Sequence, residues 1–207
     1  MKFPHKKYNN VIDYFNDYFL DLKLSLSSIN FSNLNKIINV LGKSYLNGDN
    51  KVFVCGNGGS AALADHFACD HQKILHETKK YRPFVISLVS NHALGTAISN
   101  DVNYKSIFSE QLKQMARKGD ILIVISASGK SQNVIEAIKW AKKNKMISIS
   151  LTGFNGGQAK KISQLNLHIQ SKNYGVIEAN HQSLINIISQ FIKIKALSLK
   201  EIQKIKF

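Results

Sequence analysis

The chain has little that could cross-link it and nothing long enough to anchor it in a bilayer. Of its 207 residues only Cys55 and Cys69 are cysteines. They form no CxxC pair, which excludes a disulfide framework or a zinc knuckle and leaves two buried free thiols as the expectation. No apolar run reaches the roughly 18–20 residues that span a membrane. Met1 to Asn10 is polar and basic, without the apolar stretch of a signal peptide, so a cytoplasmic protein is expected. Acidic residues are scarce, with 13 Asp and Glu against 28 Lys and Arg and a net charge of +15. Arginine is scarcer still: Arg82 and Arg117 are the only two, and lysines scattered along helix surfaces supply the rest. Arginine is the usual planar reader of phosphates and base edges, so this charge pattern does not point to nucleic acid. A diffuse positive field suits the collection of an anionic metabolite.

What is present is an ordinary apolar fraction of 44%, with its patterning switching period along the chain. Two amphipathic helices come first. One covers Tyr8 to Ser27, with Val11, Tyr14, Phe15, Tyr18, Phe19 and Leu22 at helical spacing. The next starts at Ser32 as N-cap, carries Leu34, Ile37, Ile38, Leu41 and Tyr45 on one face, and ends near Gly48. Short apolar segments then alternate with helical ones. The strands are expected at Lys51–Cys55, Phe84–Leu88, Asp120–Ser126, Met146–Leu151 and Leu165–Ile169. The helices between them are expected at Ala61–His71, Ala93–Asn100, Ser106–Arg117, Ser131–Lys143 and Gly156–Ile162. This alternation predicts one α/β domain, with parallel strands covered on both faces. A last helix, Val176 to about Leu197, has an apolar stripe wide enough to pack on the sheet, on a partner subunit, or on both.

Three turns at the carboxyl ends of strands carry the chemistry, because ligands of open parallel sheets bind there. The first, Cys55-Gly56-Asn57-Gly58-Gly59-Ser60-Ala61, satisfies G-x-G-x-x-A. The following strand ends Ser87-Leu88-Val89-Ser90-Asn91 and lacks the acidic residue that would hold a ribose, so a dinucleotide reading fails. Its glycines still let backbone approach a ligand at a helix N-terminus. The second, Ser126-Ala127-Ser128-Gly129-Lys130-Ser131, contains Gly-Lys-Ser, but Val124 stands where a P-loop needs glycine. Hydroxyls and N–H groups before a helix suit a phosphate monoester; a plain turn with Ser131 as N-cap is the competing reading. The third is Thr152-Gly153-Phe154-Asn155-Gly156-Gly157.

Further candidates lie on helices. His66 and Asp70, at i and i+4, share a face and suit a metal or acid–base chemistry, or a simple surface pair. His71 and His76 extend that cluster. Asn100-Asp101 follows a short helix. Glu178, His181 and Gln182 fall within one turn of the last helix and could face a cleft, with capping as the competing role of Glu178.

Taken together, these motifs resemble the sugar isomerase (SIS) domain family, most closely its phosphoheptose isomerase branch, over about residues 30 to 195. The resemblance implies a single SIS domain at 31–198 with a five-stranded parallel sheet, preceded by an N-terminal helix at 1–30 that makes oligomer contacts and followed by a basic tail at 199–207. It implies a cytoplasmic homotetramer with active sites near subunit interfaces. Phosphate would sit on Ser126, Ala127, Ser128 and Ser131, and the sugar would meet Asn57, Gly58, Gly59, Ser60, Asn100 and Asp101. His66 and Asp70 match zinc-binding positions, Asp70 where glutamate is usual. Glu178 replaces the usual glutamine and Asn186 the usual histidine. A divalent metal such as zinc would then rest on His66, Asp70 and Glu178, with Asp70 or Glu178 as catalytic base. The implied reaction interconverts sedoheptulose 7-phosphate and D-glycero-D-manno-heptose 7-phosphate for surface-polysaccharide heptose synthesis. The alternative is a non-catalytic SIS protein that binds a phosphosugar or a protein partner such as a replication initiator; a ketose–amine deglycase is a third.

Overall fold

The computed structural model describes residues 3–76, 78 and 80–205. Two helices lead, α1 at Val11–Ser27 and α2 at Phe31–Asn47. Asparagine begins both: the side chains of Asn10 and Asn30 accept from the backbone N–H of Asp13 and Asn33. The second start is therefore Asn30, not Ser32; both are good caps, but Asn30 has the extended backbone that aims its side chain at the open N–H groups. Gly48 closes α2 in the left-handed conformation.

The alternating part runs β1 (Val52–Gly56), α3 (Gly59–His76), β2 (Val85–Ser87), α4 (His92–Asp101), a short 3-10 turn at Tyr104–Ser106, α5 (Ile107–Met115), β3 (Ile121–Ser126) and α6 (Gln132–Lys143). It continues with β4 (Ile147–Thr152), α7 (Gly157–Ile162), β5 (Leu165–His168), α8 (Tyr174–Ile194) and α9 (Leu199–Ile202). The expected strands are all present, with ends moved by a residue or so. β1 and β3 start one residue late for a visible reason. The Asp120 carboxylate accepts the backbone N–H groups of Lys51 and Arg117, at 2.9 and 2.8 Å, and so works as a turn acceptor rather than a strand residue. The segment expected as a basic tail contains α9, which opens with a capping box between Ser198 and Glu201.

All strands pair in parallel, in the order β2-β1-β3-β4-β5. Residues along each strand alternate between two apolar cores. Val52, Val54, Ile121, Ile123 and Ile125 face α2, α3 and α8. Phe53, Cys55, Leu122 and Val124 face α4, α5, α6 and α7. β1 and β3 are buried along their whole length, as central strands covered on both faces must be. Cys55 is buried as expected, but Cys69 is exposed because its position on α3 turns away from the sheet.

α1 packs on α8 rather than standing apart. Asn180, fully buried, donates to the carbonyl of Leu22 and the hydroxyl of Ser25. The outer face of α1 exposes Val11, Ile12, Phe15, Phe19 and Leu24, and α8 exposes Ile187, Phe191 and Ile194 beside its buried stripe. No described helix is long and apolar enough to cross a membrane.

Candidate functional site

The strand order reverses between β1 and β3: the chain leaves β1 towards β2 on one side and returns to place β3 on the other. The loops after these neighbouring strands diverge there and open a crevice at their carboxyl ends, the usual ligand position in such sheets. Loop one is Asn57-Gly58 leading into α3; loop two is residues 127–131 leading into α6.

Loop two has its donors free. Ser131 stands at the N-cap of α6, yet its hydroxyl makes no capping bond, so the plain-turn reading leaves it unexplained. The backbone N–H groups of Ser131, Gln132 and Asn133 have no hydrogen-bond partner among the described residues. Ser126 and Ser128 accept from the N–H groups of Gly129 and Lys130, at 3.2 and 3.3 Å, and keep their own hydroxyl protons. These donors gather at the positive end of a twelve-residue helix, a suitable seat for a phosphate dianion.

The third turn braces this loop. Gly153 and Ala159 donate to the carbonyls of Ala127 and Gly129, at 2.8 and 3.0 Å. Gly129, at φ +61°, approaches so closely that an added Cβ would lie 2.0 Å from the Gly156 carbonyl oxygen. The second and third turns legible in the sequence are thus zipped together through backbone.

Glu178 enters from α8. Its carboxylate rests against Gly59 in the first turn of α3, where a Cβ would come within 2.8 Å of Oε1. That end of α3 favours an anion beside loop one, and no cation pairs with Glu178 among the described residues. The capping role weighed for Glu178 in its own helix goes elsewhere: Asn173 caps α8.

His66 and Asp70 lie within hydrogen-bond distance, Nε2 to Oδ2 2.9 Å, with His66 about half exposed. On α3 they share the face of Gly59, roughly two and three turns further along. Among the described residues no three His, Cys, Asp or Glu side chains converge to hold a metal ion. Among those residues His66 and Asp70 face each other, and Glu178 packs at Gly59 instead of joining them. Asn186, where the family's histidine would stand, accepts from the Gln182 side chain at 3.0 Å.

Other expectations need correction. His181 does not face the cleft. It is fully buried, neither ring nitrogen has a hydrogen-bond partner, and burial lowers its pKa to about 4. The Thr152 backbone offsets this in part, although it is not reached with hydrogen-bond geometry, and His168 adds to the lowering. His71 is likewise a core residue. Its Nδ1 meets the Tyr45 hydroxyl at 2.8 Å, its ring stacks on Phe67, and burial lowers its pKa to about 3. The His76 side chain lies outside the described residues. Asn100 and Asp101 are exposed at the end of α4 and bonded to each other at 2.9 Å, rather than standing at a loop start. Neither lines the cavity beside loop one.

That cavity, of about 280 Å³, is walled by Asn57, Gly58, Asn91, His92, Thr96 and Tyr104, among others. A larger one, of about 700 Å³, lies between α1 and the β5–α8 connection. Of the expected site residues the smaller one is walled by Asn57 and Gly58, while Ser126 to Ser131 and Glu178 lie outside its lining. Two of the site's residues escaped the sequence reading. Asn133, almost fully buried, pairs amide to amide with Asn57, each donating to the other at 2.9 Å. Tyr104 donates its hydroxyl to Asn57 Oδ1 at 3.0 Å. Only a buried asparagine just inside a helix could have hinted at the first; nothing local marks the second.

Comparison with known proteins agrees with this fold. The SIS domain family model matches residues 14–153. The chain is 39% identical over 163 residues to a probable phosphoheptose isomerase of Thermoplasma acidophilum, spanning 77% of this chain and 88% of that one. It is 35% identical over 153 residues to a phosphoheptose isomerase of Synechocystis, spanning 74% and 78%. A solved phosphoheptose isomerase from Neisseria gonorrhoeae superposes with a TM-score of 0.79 at 31% identity, covering 88% of this chain and 96% of that one.

Proposed function

The chain belongs to the SIS domain family, in its phosphoheptose isomerase branch, and from that premise we propose how its residues carry the reaction. It is an aldose–ketose isomerase acting on sedoheptulose 7-phosphate. Phosphate is seated by the hydroxyls of Ser126, Ser128 and Ser131 and by the open N–H groups of α6. The sugar extends past Asn57, Gly58, Gly59 and Ser60. Asn100 and Asp101 close the far side only if the α4 end moves in.

Glu178 is the proposed base. It takes a proton from C1 of the open-chain ketose; the C–H electrons form the C1–C2 double bond, and the carbonyl oxygen on C2 gains a proton, giving an enediol. Loss of the O1 proton then forms the aldehyde at C1, and a proton returns to C2, so no atom is gained or lost. Asp70 is the second candidate. Its hydrogen bond to His66 gives a ready acid–base pair on the same helix face, but one turned towards its own partner and further from the glycine loop. No step is routed through a metal, because the residues that would hold zinc do not converge within the chain.

The observation that carries this reading is the placement of the Glu178 carboxylate against Gly59 at loop one, together with the unspent phosphate donors of loop two. Exposed apolar residues on α1 and α8 support a homotetramer in which residues 1–30 supply contacts and 31–198 form the catalytic domain. The same reading makes it a cytoplasmic enzyme of heptose supply for surface polysaccharide, without a nucleic-acid partner. Turnover of sedoheptulose 7-phosphate, and its loss in Glu178→Gln, is the test. Phosphosugar binding without turnover would favour the non-catalytic alternative.

A further inference from the structure

Hydrogen-bond direction can be traced from the backbone of α6 out to the sugar cavity. The Val134 N–H can only donate, and it meets Asn133 Oδ1 at 2.9 Å. This settles which end of the Asn133 amide is oxygen. The same oxygen accepts from Asn57 Nδ2, and Asn133 Nδ2 donates to Asn57 Oδ1. The orientation of Asn57 is thereby settled too. Since Asn57 Oδ1 can only accept, the Tyr104 hydroxyl must be the donor in their contact. Asn57 Oδ1 then has both lone pairs engaged. One N–H of Asn57 Nδ2 remains, and so do the lone pairs of the Tyr104 oxygen. Both residues line the same cavity.

We propose that Asn133 is a positioning residue that makes Asn57 a donor, never an acceptor, towards the sugar, and that Tyr104 supplies the matching acceptor. The pair selects a ligand group that accepts from Asn57 while donating to Tyr104, which a sugar hydroxyl does and a carbonyl or ether oxygen does not. Asn133 has no route to the ligand through its side chain. It acts through Asn57, held by a backbone N–H that cannot turn over. Tyr104, more than half exposed, is free to follow the sugar, whereas the asparagine pair behind it is not.

This inference rests on the phosphosugar reading, and one titration separates the two. Affinities for sedoheptulose 7-phosphate and for inorganic phosphate are measured by calorimetry on the full chain and on Asn133→Ser, Tyr104→Phe and the double variant. Serine at this position keeps a helix-starting hydroxyl for the Val134 N–H, and phenylalanine keeps the exposed ring. The expected result is a loss of about tenfold in sugar-phosphate affinity for Asn133→Ser and about fivefold for Tyr104→Phe, the range of one lost neutral hydrogen bond. Phosphate affinity stays within about twofold, since Asn133→Ser keeps the backbone N–H groups that seat the phosphate and Tyr104 is no part of that seat. The double variant loses less than the product of the two, because both bear on the same ligand hydroxyl. Equal losses for phosphate and sugar phosphate, or full multiplicativity, would overturn the proposal. If the unaltered protein binds sedoheptulose 7-phosphate no more tightly than phosphate, the phosphosugar reading falls and this inference with it. If that preference is present and both single variants retain it, the inference alone fails.

Discussion

The carboxylate of Glu178 and the backbone of Gly59 are in contact: a methyl group built on Gly59 would stand 2.8 Å from Oε1 and 3.0 Å from Oε2. Gly59 does not have a positive φ, so alanine is conformationally allowed there, and the obstacle it meets is the end of a flexible side chain. Gly59→Ala is therefore a tool that moves the Glu178 carboxylate without disturbing the fold. If Glu178 is the base, Gly59→Ala and Glu178→Gln both lower kcat, the latter by about 10²–10⁴-fold. Both leave the thermal midpoint nearly unchanged. If Asp70 is the base instead, Asp70→Asn abolishes turnover and Glu178→Gln does not. Steady-state kinetics on the three variants decides.

Loop two makes a separate prediction. Because the Ser131 hydroxyl makes no capping bond, Ser131→Ala lacks the usual cost of about 1 kcal/mol for a lost N-cap. It nevertheless removes a donor to a charged phosphate, worth about 1.5–3 kcal/mol, or roughly 10- to 150-fold in kcat/KM. Urea unfolding and kinetics on one preparation separate these effects. A large stability loss with unchanged kcat/KM would return Ser131 to the role of a cap.

Gly129→Ala attacks the zip between loop two and the third turn. The new Cβ would meet the Gly156 carbonyl oxygen, a backbone atom with little freedom to yield, at a left-handed φ. The expected loss is on the order of 4 kcal/mol, large for a turn residue. A chemical-denaturation midpoint close to that of the unaltered protein would show that the two loops are not rigidly joined.

Acid should destabilise the fold through its core histidines. Burial holds His71 at about 3 and His181 at about 4, against 6.5 for an unburied imidazole. Below pH 6.5 the unfolded chain takes up these protons and the folded chain does not, so stability falls as pH falls. The loss runs from about pH 6.5 to about 4 for His181 and to about 3 for His71. Each group costs up to ~1.4 kcal/mol per pH unit once the unfolded imidazole is mostly protonated, so the two together cost about 3 kcal/mol between pH 6.5 and 5. Urea unfolding at pH 7.5, 6 and 5 measures the slope, which should be shallower in His71→Leu even though that variant leaves Tyr45 without its partner. Equal stability at pH 7.5 and 5 would contradict buried neutral histidines.

The sheet was legible because central parallel strands are apolar on both faces: segments such as Ile121–Ser126 and Ile147–Thr152 stand out against amphipathic helices. The loops were legible because glycine and serine concentrate where backbone must come close to a ligand. Direction was harder to read. His181 and Glu178 sit within one turn of α8, yet one is sealed in the core and the other meets Gly59; helical spacing gives a shared neighbourhood, not the side that faces the sheet. Competing caps are also close in chemistry, and Asn30 displaced Ser32 through backbone conformation alone. The Asn57–Asn133 pair and its Tyr104 contact join segments far apart in sequence, which no local pattern encodes.

The central step is proton transfer by this chain on a seven-carbon sugar phosphate. The most direct measurement follows sedoheptulose 7-phosphate incubated with the purified protein in deuterium oxide by proton NMR. The prediction is formation of the aldose phosphate with deuterium entering at C2, and loss of both signals in Glu178→Gln. A sugar phosphate that binds but shows neither isomerisation nor exchange with the unaltered protein would contradict it.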